Sequence, residues 1–384
     1  MSNWIDDNEG VYVAGIGMHA YQFPSETPYT HLGLTAVRAA LADAGLAWPQ
    51  VNGAYVGTTS IGMAAGRVML RHLGSSGLAV TQVENASASG SFAFRQACME
   101  LARGVSDVVL AVGVDKHGDA RRAADKEGLA RLSETANVPA VKFAMMARTY
   151  LRERGADSAS MAQVAVKNHG NASRNPFAQF RKPRTLEQVL ASPCVAGDLT
   201  VQQCCPRGEG AAAAIVVSGR ALRRLGLDAS RCVRVRASAT CSETPETSYG
   251  AAAVDLVHAS ARAALEQAAI PARQLDLLEL HDAFSVEELL YSEAIGVCEP
   301  GEGAAYLLRG DSQIGGRCAI NASGGLIGMG HPLGPTGIGQ IAEITRQLRG
   351  EAGDRQHEGA GWGMAHMIGL GSVAIAHVLS RATA

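Results

Sequence analysis

Two kinds of apolar pattern alternate along the chain. Short uninterrupted apolar runs read as buried strands. Longer stretches with apolar residues every third or fourth position read as amphipathic helices. Val11–Ile16 predicts the first strand. Thr30–Gly45 predicts a helix with Leu32, Leu34, Val37, Ala40 and Leu41 inward and Gly45 as its cap. Val51–Val56 and Ala79–Glu84 predict two more strands; the second runs into Asn85–Ser91 and a helix to about Arg103. Asp107–Val114 and Gly210–Ser218 predict uninterrupted, fully buried strands. The order then repeats: a strand at Val233–Cys241, a helix at Ala251–Ala269, a strand at Leu275–Leu280 and a helix at Val286–Ile295. A short strand at Cys318–Ile320 follows, then a helix at Ile338–Arg349 with Ile338, Ile341, Ile344 and Leu348 on one face. Two strands within Trp362–Val378, around Gly369-Leu370-Gly371, close the chain. Strand–helix–strand–helix–strand–loop–helix–strand–strand therefore occurs twice, in element order rather than in residue identity.

One stretch breaks the pattern. From Lys116 to about Gln203 the sequence is charged and mixed, with a helix predicted near Ala144–Arg154. The string from His169 to Gln188 reads as a loop carrying Arg174, Arg181, Lys182 and Arg184. A long excursion inside a compact domain is usually functional.

Composition narrows the class. The chain has 384 residues, enough for two domains or a duplicated one, and is rich in small apolar residues and poor in aromatics. A formal net charge of −2 gives no reason to expect nucleic acid or an anionic membrane surface. No run of about 18 apolar residues predicts a transmembrane helix. The acidic start, MSNWIDDNEG, lacks the apolar core of a signal peptide. Eight scattered cysteines include no CxxC pair, so the expectation is a cytoplasmic protein with reduced thiols and no metal site of its own.

The chemistry concentrates in Asn321–Gln340, NASGGLIGMGHPLGPTGIGQ. So many glycines demand tight turns, and they place His331, between Gly330 and Pro332, just before a helix. In the first half the equivalent position, after the third strand, is held by Ser87.

Four blocks in order resemble the thiolase superfamily, specifically the sterol-carrier-protein-x-type thiolases and their bacterial relatives: VENASASGS at 83–91, HDAF at 281–284, GGLIGMGHPLGPTG at 324–337 and HMIGLGS at 366–372. The QFRKPRTLEQVLASP and CCPRGEGAAAA strings are similar to that group as well. The resemblance covers essentially the whole chain. It implies an α/β thiolase fold: duplicated βαβαβαββ halves in a five-layered αβαβα sandwich with an inserted loop domain. The expected boundaries are 1–116 plus 201–230 for the N-terminal half, 117–200 for the loop domain and 231–384 for the C-terminal half. The resemblance also implies coenzyme A as a substrate, a homodimer or dimer of dimers, and a loop domain whose Arg181 and Lys182 meet the CoA phosphates. Of the two histidines, it implies that His331 serves the nucleophile and helps form an oxyanion hole. His281 then holds the thioester oxygen where negative charge develops.

Two positions depart from the family pattern. The nucleophile is a cysteine in the family, and Ser87 stands there in this chain. A hydroxyl needs a positioned general base, and His331 is the base the motif offers. Ser87 is either native or a Cys-to-Ser substitution of the kind that traps substrate. The acid/base cysteine of the family aligns either with Met367 or with Ala283, neither of which carries a proton. His366, beside the first of these, is a substitute base with an ordinary pKa near neutrality. Cys98 is too far down its helix and reads as packing.

The expected activity is an acyl-CoA thiolase, cleaving a 3-oxoacyl-CoA with CoA through an acyl-enzyme on residue 87. Two alternatives stand beside it. One is a thiolase-like retro-aldolase on a CoA thioester, working with a small zinc-ribbon/OB-fold partner. The other is a non-catalytic subunit that binds acyl-CoA.

Overall fold

The computed structural model describes residues 4–117, 138–245, 252–369 and 373–382. In chain order the strands are β1 (Val11–Gln22), β2 (Gly53–Gly57), β3 (Ala79–Val83), β4 (Val108–Asp115), β5 (Cys194–Ala196), β6 (Leu199–Thr200), β7 (Glu209–Ser218), β8 (Val233–Ser242), β9 (Leu277–Glu279), β10 (Ala319–Ile320), β11 (Trp362–Gly369) and β12 (Val373–Arg381). The helices are α1 (Tyr29–Ala44), α2 (Ala65–Leu70), α3 (Ser89–Ala102), α4 (Val138–Arg154), α5 (Ser158–Ser173), α6 (Leu186–Leu190), α7 (Gly219–Arg224), α8 (Ala252–Ala268), α9 (Ser285–Ile295), α10 (Gly303–Leu308), α11 (Gly325–Met329) and α12 (Leu333–Arg349).

The duplication expected from element order is present in the strand pairing. The sheet order is β10-β9-β11-β12-β8-β1-β7-β4-β2-β3. It reads the same outward from the β8/β1 junction, where Val11–Val13 pair with Val233–Val235. In each half the outer pairs are parallel (β2 with β3 and β4, β9 with β10 and β11) and the inner ones antiparallel (β7 with β4 and β1, β12 with β11 and β8).

Five layers follow from which faces are apolar. β4 and β7 are buried at every position, so both of their faces are covered. On one side α1 supplies Leu32, Val37 and Leu41 against Val112, Ile215 and Val217. On the other, α3 and α12 share a core, with Phe94 and Leu101 meeting Ile338, Ile341 and Ile344. α12 packs on β4 and β7 of the first half and on β9 and β11 of the second, so it and α3 form the central layer. α8 covers the outer face of the second half with Leu256, Val257 and Leu265.

The charged excursion differs from its expectation. The sequence predicts a loop from His169, but its first residues finish α5, and Leu186–Leu190 form α6. Sequence periodicity was obscured because one face of α5 is polar yet buried: Asn168, His169 and Asn171 are all inside. The predicted helix near Ala144 starts earlier, at Val138. The charged stretch ARRAADKEGLARLSET and residues 370–372 of the HMIGLGS block lie outside the described residues.

Candidate active site

The two equivalent turns, one after β3 and one after β10, meet at the central layer. The first is held in a conformation that only local hydrogen bonding makes affordable: Ala86 has φ 48°. Ser89 Oγ accepts the Asn85 N–H at 2.8 Å and donates to the Ala86 carbonyl at 2.6 Å, which fixes the turn. Ser87 follows, buried, two residues ahead of the first turn of α3. The second turn needs glycine at Gly330, whose φ is 108°.

Close approach of the two helices requires glycine as well. A Cβ on Gly90 would lie 2.3 Å from the Gly334 carbonyl oxygen. With Gly90 bare, α3 and α12 start side by side, and Ser87 Oγ comes to 3.1 Å from His331 Nε2.

The neighbours of His331 assign its protons. Thr336, one turn into α12, donates its hydroxyl to the Pro332 carbonyl at 2.5 Å. The same oxygen lies 3.0 Å from His331 Nδ1 and, its proton already spent, must accept there. Nδ1 therefore carries the hydrogen, and Nε2 presents a lone pair to the Ser87 hydroxyl. Asp115, at the end of β4, accepts the Gly334 N–H at 2.6 Å, the hydroxyls of Thr58, Thr59 and Ser60, and the amides of Thr59 and Ser60. This carboxylate ties the start of α12 to the first half.

His281 stands beside His331, ring against ring edge-to-face at 5.3 Å. Its Nδ1 lies 3.0 Å from Glu287 Oε1, which also accepts the Tyr291 hydroxyl at 2.9 Å. The other Glu287 oxygen caps α9 by accepting the Phe284 N–H at 2.8 Å. Asp282 faces the other way: it accepts Leu326 N–H at 2.6 Å and Asn168 Nδ2 at 2.7 Å. Burial, with the charge of Glu288 nearby, raises its carboxyl well above the ordinary range.

The buried polar face of α5 grips this assembly. Asn168 also reaches Glu288, Asn171 donates to the Asn321 carbonyl and Asn175, just past the helix, to that of Ser323. Lys167 pairs with Glu288 at 3.0 Å. Past Asn175, the amides of Gln179 and Phe180 donate to the carbonyls of Met329 and Gly328. Arg181 and Lys182 follow with exposed side chains; they adjoin in sequence the Gln179–Phe180 segment bonded to the glycine-rich turn but do not touch Ser87 or either histidine.

His366 belongs elsewhere. On β11 its neighbours Ala365 and Met367 face the central layer, Met367 against Ala88. His366 faces α8, with Nε2 2.9 Å from Ser260 Oγ. Burial, together with the charge of His281, pushes its pKa down to about 3. The expectation of a substitute base at His366 is corrected on this geometry. Alternation along the strand turns its ring to the outer face, and burial keeps it neutral there.

Cys98 is wholly buried in α3, as expected for packing. Cys205 was not singled out in the sequence, yet its N–H donates to the Ala283 carbonyl at 2.8 Å, and Cys204 and Phe284 form an antiparallel bridge. Opposed residues of such a bridge share a face, so Cys205 stands across from the alanine of the HDAF turn. Burial pushes its thiol up. Sequence reading also missed Thr336, Glu287, Asp115 and the Asn168–Asn171–Asn175 stripe. Only the last carries a sequence signal, the helical spacing of its asparagines.

Comparison with known proteins bears on the fold and the family. Residues 15–188 match the thiolase N-terminal domain and residues 240–381 the thiolase C-terminal domain-like family. The chain is 37% identical over 384 residues to an acetyl-CoA acetyltransferase of Methanothermobacter thermautotrophicus, covering 96% of this chain and 99% of that one. It is 34% identical over 393 residues to human sterol carrier protein 2, covering 95% of this chain and 71% of that one. Among solved structures, an Ltp2-ChsH2(DUF35) aldolase superposes with a TM-score of 0.86 at 26% identity, over 97% of this chain and 98% of that one.

Proposed function

Because the chain belongs to the thiolase family, we propose that it is an acyl-CoA C-acyltransferase that cleaves a 3-oxoacyl-CoA with coenzyme A through an acyl-enzyme on residue 87. The observation that carries the reading is the Ser87–His331–Thr336 chain. A hydroxyl has little nucleophilic character at neutral pH and needs a base on it. His331 Nε2 is within hydrogen-bonding distance of Ser87 Oγ, with its tautomer set from behind by Thr336. Ser87 Oγ attacks the 3-keto carbon and passes its proton to His331. His281, beside His331, meets the thioester oxygen where charge develops. Arg181 and Lys182 meet the phosphates of CoA. Exposed cationic side chains on a segment bonded to the glycine-rich turn suit that task.

A serine in this place is either native or a substitution for cysteine. The proposal makes the same prediction in both cases: Ser87→Cys raises CoA-dependent cleavage, and Ser87→Ala abolishes it. Cleavage that survives Ser87→Ala would overturn the acyl-enzyme reading. It would favour the second one, a retro-aldolase on a CoA thioester. Two observations recommend that alternative: no thiol stands at 283 or 367, and one of the structural neighbours of this chain is named an aldolase. A partner subunit like the ChsH2(DUF35) component named with that aldolase, expected here as a small zinc-ribbon/OB-fold protein, fits either reading.

A second copy of the chain is proposed at β3. This strand ends the sheet, its side chains are exposed or half-buried, and it carries no charge to discourage pairing.

A further inference from the structure

We propose that Glu287 and His281 form a carboxylate–imidazole pair that moves the α-carbon proton, doing the work for which positions 283 and 367 offer no thiol. The inference rests on the acyltransferase reading above and adds a role for His281 beyond holding the thioester oxygen.

The reaction needs such a group. Breaking the bond between C2 and C3 leaves its electron pair on C2 as the enolate of the departing acyl-CoA. That carbon must then gain a proton from a positioned acid. His331 has just accepted the Ser87 proton and is engaged with the acyl-ester oxygen.

His281 is built for the task. Glu287 is fully buried and directs Oε1 at Nδ1, 3.0 Å away. Nδ1 is therefore the nitrogen that donates within the pair, and Nε2 is left for the bound thioester. A carboxylate at that depth is costly unless a cation answers it. Lys167, the buried ammonium nearby, is paired with Glu288 instead. The group that faces Glu287 is the imidazole itself, so positive charge arriving at Nε2 during turnover sits against that carboxylate. Tyr291 donates to the same Glu287 oxygen, and the Phe284 N–H fixes the other, so the carboxylate cannot swing away.

The protons balance over a turnover. His281 Nε2–H gives its proton to C2 as the enolate collapses, and the shortened acyl-CoA leaves. The incoming CoA thiol attacks the acyl ester and returns a proton to His281 Nε2. Ser87 Oγ recovers its own proton from His331.

The test is deuterium incorporation into acetyl-CoA in D2O, run on the full chain with any co-purifying subunit, with acetylation of residue 87 followed by mass in the same samples. Glu287→Gln can still cap α9 through its amide oxygen but cannot hold an imidazolium. It should slow exchange by about a hundredfold, the low end of general acid–base effects, while acetylation of residue 87 persists. Glu287→Asp should recover part of the exchange. Exchange at the parent rate in Glu287→Gln overturns the proposal. So does exchange lost in Cys205→Ser and kept in Glu287→Gln, since the thiol across from Ala283 would then be the acid. If the parent exchanges deuterium but residue 87 is never acetylated, the acyl-enzyme reading falls while the Glu287–His281 assignment stands.

Discussion

Asp115 offers the sharpest test of how the two halves are held in register. Six donors converge on its carboxylate: the hydroxyls of Thr58, Thr59 and Ser60 and the amides of Thr59, Ser60 and Gly334. Thr58 and Gly334 are buried, whereas Thr59 and Ser60 are half-buried and can turn to water. Asp115→Ala therefore orphans two buried donors at about 1–3 kcal/mol each, a loss of about 2–6 kcal/mol. Asp115→Asn costs less. Its amide oxygen can take the Oδ1 position, with donors from Thr58, Thr59 and Ser60. Its NH2 then faces the Gly334 N–H, and the Thr59 hydroxyl can rotate to accept. One donor–donor conflict remains, worth about 1–3 kcal/mol. Urea unfolding followed by tryptophan fluorescence measures both, provided the slope with denaturant is unchanged. The expected order is wild type, then Asp115→Asn, then Asp115→Ala. An Asn variant as stable as wild type, or an Ala variant no worse than Asn, would refute the assignment of Gly334 as the costly partner.

Three further outcomes follow from the same geometry. Thr336→Val removes the acceptor that fixes the His331 tautomer, so acylation of residue 87 should slow about tenfold, about 1.4 kcal/mol of barrier, with substrate affinity unchanged in a KM measurement. Burial, with Glu343 nearby, pushes the Glu279 carboxyl from its ordinary 4.5 up to about 8, so its contribution to stability is full at low pH and drains away as pH rises through that window. Glu279→Gln should flatten the pH dependence of unfolding between about pH 5 and 8 and be the more stable protein at the upper end; an unchanged slope would count against this. His366→Gln should alter kcat/KM by no more than about twofold, about 0.5 kcal/mol, since the ring faces α8; a hundredfold loss would restore it to the site.

The repeat was legible because strands covered on both faces are written as unbroken apolar runs, and β4 and β7, buried at every position, are read that way without ambiguity. The meeting of Ser87 and His331 was legible only as a resemblance. Their separation of 244 positions leaves no local periodicity, and the contact depends on a bare Gly90 against the Gly334 carbonyl. α5 was misread because its buried face carries asparagines that serve other segments' carbonyls, so polarity there signals bonding rather than solvent. His366 was misassigned because adjacency in sequence means opposite faces on a strand. Glu287 reads as an ordinary helix-start carboxylate, and its capping bond to Phe284 is real. Its second bond, to His281, is visible only once α9 folds back on the HDAF turn.

The central claim is that residue 87 carries the acyl group. Intact-protein and peptide mass after brief exposure to a 3-oxoacyl-CoA without free CoA tests it most directly. The account predicts an acyl increment on the peptide containing Ser87, larger in yield for Ser87→Cys and released on adding CoA. Substrate consumed with no increment on residue 87 in either protein would contradict it.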